Sequence, residues 1–229
     1  MRLPRHADRL LCRPDSMTIL LTGHDDGPAH LRADRLVAQG QQALGLPASR
    51  VPCRPRAPRD WPPGTRGSLS HWGPFTLCLL HRGTGCHWGV DIEGVPEWQT
   101  AQDILSVALG PSERALLDHG SDALLWQAAA VFSAKESVYK AVYPSVGRVL
   151  EFDAIRLAAR PSGGALVFAP SAELLAFFPA RRRITVPVFH LGEAVLSFCR
   201  MEDARAARVD DKEQPPEIRA PRAYRDQAP

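Results

Sequence analysis

Apolar positions return at helical spacing in two long stretches of the chain. Between residues 31 and 44, leucine, valine and alanine recur every three to four positions until Gly45 and Pro47, which predicts a helix over 31–44. The stretch 122–142 is denser in alanine and leucine and predicts the longest helix, with Pro144 as its stop. Shorter helices are predicted over 101–109 and 112–119, with Pro111 and Ser112 as start signals. Strand-like runs fall at 18–22, 76–81, 86–93, 152–157, 165–168, 184–190 and 194–200. "RGTG" separates the second and third of these and predicts a hairpin turn. The segment "RVPCRPRAPRDWPPGTRG", 50–67, is too rich in proline for a regular element, and a structureless loop of that length reads as functional. From 203 onward the chain is charged, proline-bearing and poor in large apolar residues, which predicts a disordered tail.

Two places break the pattern. On the long helix, Ala128, Phe132, Glu136 and Lys140 lie four apart and share a face, so an apolar row ends in charge. A lone buried carboxylate costs several kcal/mol. Glu136 therefore has to reach a cation, a metal or a cleft, and Lys140 is one partner. Lys135 points about 100° away and could line the same cleft from its edge. The plainer alternative is a helix leaving the core with a surface ion pair worth a few tenths of a kcal/mol. On the strand 86–93, side chains alternate. Asp91 and Glu93 share one face, and Val90 and Ile92 take the other and can enter the core. Gly89 and Gly94 leave room for something to approach the backbone. Adjacent carboxylates repel unless a cation or proton lies between them. Such oxygen donors suit Mg²⁺, although an isolated pair is equally an ordinary solvated strand end.

Composition narrows the class. A chain of 229 residues makes one large domain or two small ones. Its 45% hydrophobic and 23% charged residues are those of a soluble globular protein. A formal charge of +3 is weak for a nucleic-acid binder, and no such partner is expected. The five cysteines (Cys12, Cys53, Cys78, Cys86, Cys199) are odd in number and form no CxxC pair. That argues against a zinc site or a disulfide framework and for reduced thiols in a cytoplasmic protein. No apolar run reaches the length of a membrane span, and neither "LLCRP" nor "MTILLTG" makes a signal peptide. Met17 is an alternative start.

Three motifs in order then carry a resemblance: "GSLSH" at 67–71, "GVDIE" at 89–93 and "FSAKESVYKA" at 132–141. Together with "RAPRDWPPG" they resemble the 4′-phosphopantetheinyl transferases, with the best fit to the siderophore-synthase branch of the enterobactin synthase component D type. The resemblance covers roughly residues 31–152. It implies an α+β fold of two similar halves arranged as a pseudo-dimer, each an antiparallel sheet packed on a long helix. The expected halves are 1–108, with the coenzyme A-binding loop and the Asp91/Glu93 strand, and 109–202, with the Glu136 helix.

The resemblance also implies transfer of the phosphopantetheine arm of coenzyme A to a serine of an apo acyl or peptidyl carrier protein, with release of 3′,5′-ADP. Asp91, Glu93 and Glu136 would gather Mg²⁺, and Glu136, or Glu93 through a water, would act as general base. Lys140 and Lys135 would stabilise phosphate charge, and His71 would contact a phosphate with Ser70 beside it. Arg32 and Arg35 on the first helix and Arg54 and Arg56 on the proline-rich loop would bind the 3′-phosphate and adenine. The first helix departs from the family's G-R-x-x-A-R-x-A-L, reading "DRLVAQGQQAL", and Trp72-Gly73-Pro74 after the histidine is also atypical. The expected partners are carrier domains of nonribosomal peptide or polyketide synthases or of fatty acid synthesis, met by a monomeric enzyme in the cytoplasm. Two alternatives stand beside this: a degenerate homologue that binds coenzyme A without turnover, and a metal-dependent nuclease. The nuclease signature needs E-x-K on a strand, whereas Lys135-Glu136 lies on a predicted helix.

Overall fold

A computed structural model describes residues 9–15, 17–51, 60–118 and 120–202. The expected tail and both loop arginines, Arg54 and Arg56, lie outside these residues. The order of elements is β1 (Arg9–Asp15), β2 (Thr18–His24), α1 (Ala29–Ala43), β3 (Thr65–Trp72), β4 (Phe75–Arg82), β5 (Cys86–Gly94), α2 (Trp98–Ala108) and α3 (Pro111–Arg114). There follow α4 (Ser121–Val146), a 3-10 turn (Phe152–Ala154), β6 (Ile155–Leu157), β7 (Ala165–Pro170), α5 (Ala172–Phe177), β8 (Ile184–Leu191) and β9 (Ala194–Glu202). The protein is α+β, with antiparallel strand pairing throughout.

The strands form two sheets, ordered β1-β2-β4-β3 and β5-β9-β8-β7-β6. Alternation along the strands stacks them in layers. Ile19 and Leu21 of β2 and Cys78 and Leu80 of β4 pack toward Leu36 and Val37 of α1. Leu20, Leu77 and Leu79 point the other way, against Trp88, Val90 and Ile92 of β5 and Leu196 and Phe198 of β9. Val195, Cys199 and Met201, on the far face of β9, pack with Ala134, Val138 and Ala141 of α4. The sequence of layers is thus helix, sheet, sheet, helix.

Several expectations are corrected. "RGTG" does not close a hairpin: β4 pairs with β2 and β3, while β5 pairs along its length with β9. The strand that the sequence placed in the 1–108 half is therefore hydrogen-bonded to the last strand of the second sheet. β3 begins inside the segment read as loop, because Thr65–Trp72 alternates faces against β4. α4 passes Pro144 and ends at Gly147, whose left-handed φ of 73° allows its N–H to reach the Tyr143 carbonyl. The missing proline N–H falls in the last turn, where it breaks little. The helix expected over 112–119 shortens to Pro111–Arg114, and α5 and β1 are additional elements. Cys78, Cys86 and Cys199 are buried and in no disulfide, and no helix among the described residues is long and apolar enough to cross a membrane.

Candidate active site

The site grows from one close contact between α4 and β5. A Cβ on Gly89 would lie 1.8 Å from the Ser137 carbonyl oxygen and 2.7 Å from the Ala141 nitrogen. Only glycine lets helix backbone touch strand backbone here. Ser133 and Ser137 of α4, both fully buried, keep the interface thin, and the Ser133 hydroxyl lies 2.9 Å from that of Ser197 on β9. This seat brings the side chains that flank Ser137 on α4 next to those that follow Gly89 on β5.

β3 runs along the other edge of β5 and meets it residue by residue. The Ser68 hydroxyl accepts from the Val90 N–H at 3.0 Å, and the Ser70 hydroxyl donates to Asp91 Oδ1 at 2.8 Å. The indole of Trp72 covers Gly94, where a Cβ would come within 2.2 Å of the ring. The room left by Gly89 and Gly94 is thus filled by α4 and Trp72.

Asp91 is buried at the centre. The Lys140 ammonium donates to its Oδ1 at 2.6 Å and to Ser70 Oγ at 3.0 Å. The i+4 neighbour of Glu136 therefore reaches across to the strand, while its charge still acts on Glu136. Asp91 Oδ2 is buried without a hydrogen-bond partner. Burial pushes the Glu93 carboxyl up to about 7, with Asp91 and Glu136 adding to the shift and Lys140 opposing it. Burial also raises Glu136, against the attraction of Lys140 and with the repulsion of Asp91. Three carboxylates on two elements thus share one electrostatic environment, in which the lysine is the cation. Among the described residues, no three His, Cys, Asp or Glu side chains are drawn together as a ready metal-holding group.

Other predicted residues go elsewhere. Lys135 is buried and turns away from the cluster: its ammonium donates to the Ala108 carbonyl (2.7 Å), the Phe152 carbonyl (2.9 Å) and Glu113 Oε1 (3.0 Å). Arg32 is also buried. Its guanidinium donates to Thr76 Oγ1, to the carbonyls of Asp25, Gly27 and Gly73, and to Asp25 Oδ1. These bonds clamp the start of α1 to the β3–β4 turn. Arg35 bonds Asp25 Oδ2 at 2.7 Å and remains part-exposed. That bond, with help from the Gly27 N–H and Arg32, holds the Asp25 carboxyl down to about 2. His71 is exposed on the face of β3 opposite Ser70, since strand side chains alternate.

Sequence reasoning missed Glu113 and a cavity of 240 Å³ that begins at Glu136. Its lining includes Lys135, Tyr139, Val142, Leu150, Phe152 and Leu174. The signal for Glu113 was present: "GPSER" places a glutamate at the third position of a short helix, where its carboxylate accepts the Gly110 N–H at 2.9 Å. The cavity has no local signal, because its wall joins α4 to the turn after it.

Residues 87–199, the stretch from β5 to β9, match the model of the 4′-phosphopantetheinyl transferase superfamily. More particularly, the chain is 37% identical over 131 residues to the 4′-phosphopantetheinyl transferase Svp of Streptomyces mobaraensis, covering 53% of this chain and 50% of that protein. It is 37% identical over 81 residues to enterobactin synthase component D of Salmonella typhi, covering 35% of this chain and 33% of that protein. The chain thus aligns with half or less of the length of these relatives.

Proposed function

We propose that the protein transfers the 4′-phosphopantetheine group of coenzyme A to a serine of an apo carrier protein, releasing 3′,5′-ADP. The observation that carries this reading is the meeting of Asp91 and Glu93 on β5 with Glu136 and Lys140 on α4, within the stretch that matches the family. The donor chemistry fits a hard divalent cation such as Mg²⁺: the residues are carboxylates, and Asp91 Oδ2 is buried without a partner. Asp91, Glu93 and Glu136 would hold it. Once bound, such an ion offsets the charge of the pyrophosphate.

The remaining chemistry falls to the chain's own groups. The serine oxygen forms a new bond to the β-phosphorus, and the bond from that phosphorus to the bridging oxygen of the ADP breaks. The serine proton has to leave, and Glu136 and Glu93 are the carboxylates placed to take it. Burial raises both carboxyls, and Glu93, pushed up to about 7, is poised to accept a proton near neutral pH. Lys140, a mobile point charge already at the cluster, offsets charge that builds on the phosphate oxygens. The apolar cavity that opens at Glu136 suits the pantetheine arm, which must extend from the transferred phosphoryl group. The partner we assign is a carrier domain of a nonribosomal peptide or polyketide synthase, a choice supported by relatives named as a 4′-phosphopantetheinyl transferase and an enterobactin synthase component.

The test is direct. The protein, coenzyme A, Mg²⁺ and an apo carrier protein are combined, and the intact mass of the carrier is followed. A gain of one phosphopantetheine group supports the reading. Coenzyme A binding with an unchanged carrier would favour a non-transferring homologue instead.

A further inference from the structure

We infer that Lys135, paired with Glu113, is a positioning residue that fixes the catalytic turn of α4 and makes no contact with substrate phosphate; the inference rests on the transferase reading above. An ammonium group has three N–H donors. Lys135 spends all three inside the protein, on the Ala108 carbonyl, the Phe152 carbonyl and Glu113 Oε1. Its side chain is 2% exposed and that of Glu113 is 5% exposed, so both partners are buried, with Lys135 behind the wall of the cavity that opens at Glu136. Glu113 is equally engaged. Its Oε1 also accepts the Leu157 N–H at 2.7 Å, and its Oε2 accepts the Gly110 N–H at 2.9 Å.

These bonds draw the end of α2, α3, the 3-10 turn and β6 onto a single point of α4. That point is the residue before Glu136. The residue after Glu136 is Ser137, whose carbonyl presses against Gly89. Glu136 is therefore held between two fixed contacts on opposite flanks of the helix, a buried ion pair and a backbone seat. The same pair anchors Phe152, a wall of the cavity that opens at Glu136. In a site where phosphoryl transfer depends on placement, a displacement of about 1 Å is worth on the order of a hundredfold in rate.

The experiment compares Lys135→Met, Glu113→Gln and the double variant with the native protein, below their melting temperatures and corrected for folded fraction. Steady-state transfer to the carrier is measured, together with direct binding of coenzyme A by calorimetry. Positioning predicts that kcat falls roughly ten- to a hundredfold in both single variants, while KM and Kd for coenzyme A stay within about twofold of native. It also predicts that the double variant falls no further than the worse single, because the pair acts as one unit. If Lys135→Met does not fold, Glu113→Gln and the double variant decide the question, since the double leaves no unpaired buried charge. Loss of coenzyme A affinity in Lys135→Met alone would mark Lys135 as a phosphate ligand and overturn the inference. So would native kcat in Glu113→Gln. A native protein that transfers nothing would sink the transferase reading itself, and the inference with it.

Discussion

At the scale of single residues, two of the basic groups expected to bind phosphate, Lys135 and Arg32, are buried and committed to partners inside the protein. Arg32 donates to five acceptors around the start of α1. Arg32→Ala should cost about 3 kcal/mol, because it strands buried carbonyls and Asp25 without their cation. Chemical unfolding checks the cost, and calorimetry on the folded fraction should find coenzyme A affinity unchanged. Weakened binding at full stability would restore Arg32 as a ligand.

Glu93 makes the pH prediction. Its carboxyl titrates at about 7 in the folded protein against an ordinary 4.5. A raised acid favours the protonated form in the folded state, so folding stability falls as pH rises from about 4.5 to about 7. In metal-free buffer, Glu93→Gln should melt with the native protein near pH 4 and above it at pH 8. A variant that melts lower at pH 8 would show that the carboxylate is stabilised by something other than the cluster described.

Elements set the geometry that single residues use. The contact of α4 with β5 at Gly89 decides where Glu136 and Lys140 stand relative to Asp91. Gly89→Ala would place a methyl group 1.8 Å from the Ser137 carbonyl oxygen, inside two rigid backbones. The helix must shift, at a cost of about 1–3 kcal/mol or more, and transfer should fall more steeply than stability. Gly147→Ala is the control. It strains the left-handed end of α4 at φ 73°, costs about 1 kcal/mol, and should leave kcat unchanged. Thermal melting and transfer rates of the two variants separate placement from stability. Equal kcat losses in both would contradict the role given to the seat.

For the whole molecule, the motif residues were legible because their spacing is local. The period-two rule put Asp91 and Glu93 on one face of β5, and in the structure that face meets α4 while Val90 and Ile92 enter the layer between the sheets. What stayed hidden depends on partners distant in sequence. The β5–β9 pairing joins residues a hundred or more positions apart, so "RGTG" looks like a hairpin turn when it carries the chain from one sheet to the other. Lys135 looked equivalent to Lys140, since both are lysines on one helix. Only the fold shows that one faces Glu113 in a buried pair and the other faces Asp91. Ser70 and His71 were read together as neighbours in a motif, yet a strand sends neighbours to opposite faces.

The central claim is that β5 and α4 build one site that works as a unit. Its most direct test is the initial rate of phosphopantetheine transfer from coenzyme A to an apo carrier, read by intact mass, for native protein, Asp91→Asn, Glu136→Gln and the pair combined. The account predicts a loss of about a thousandfold or more in each single variant, with the combined variant no slower than the worse of the two. Native rates in either single variant, or losses that multiply as if the residues were independent, would contradict it.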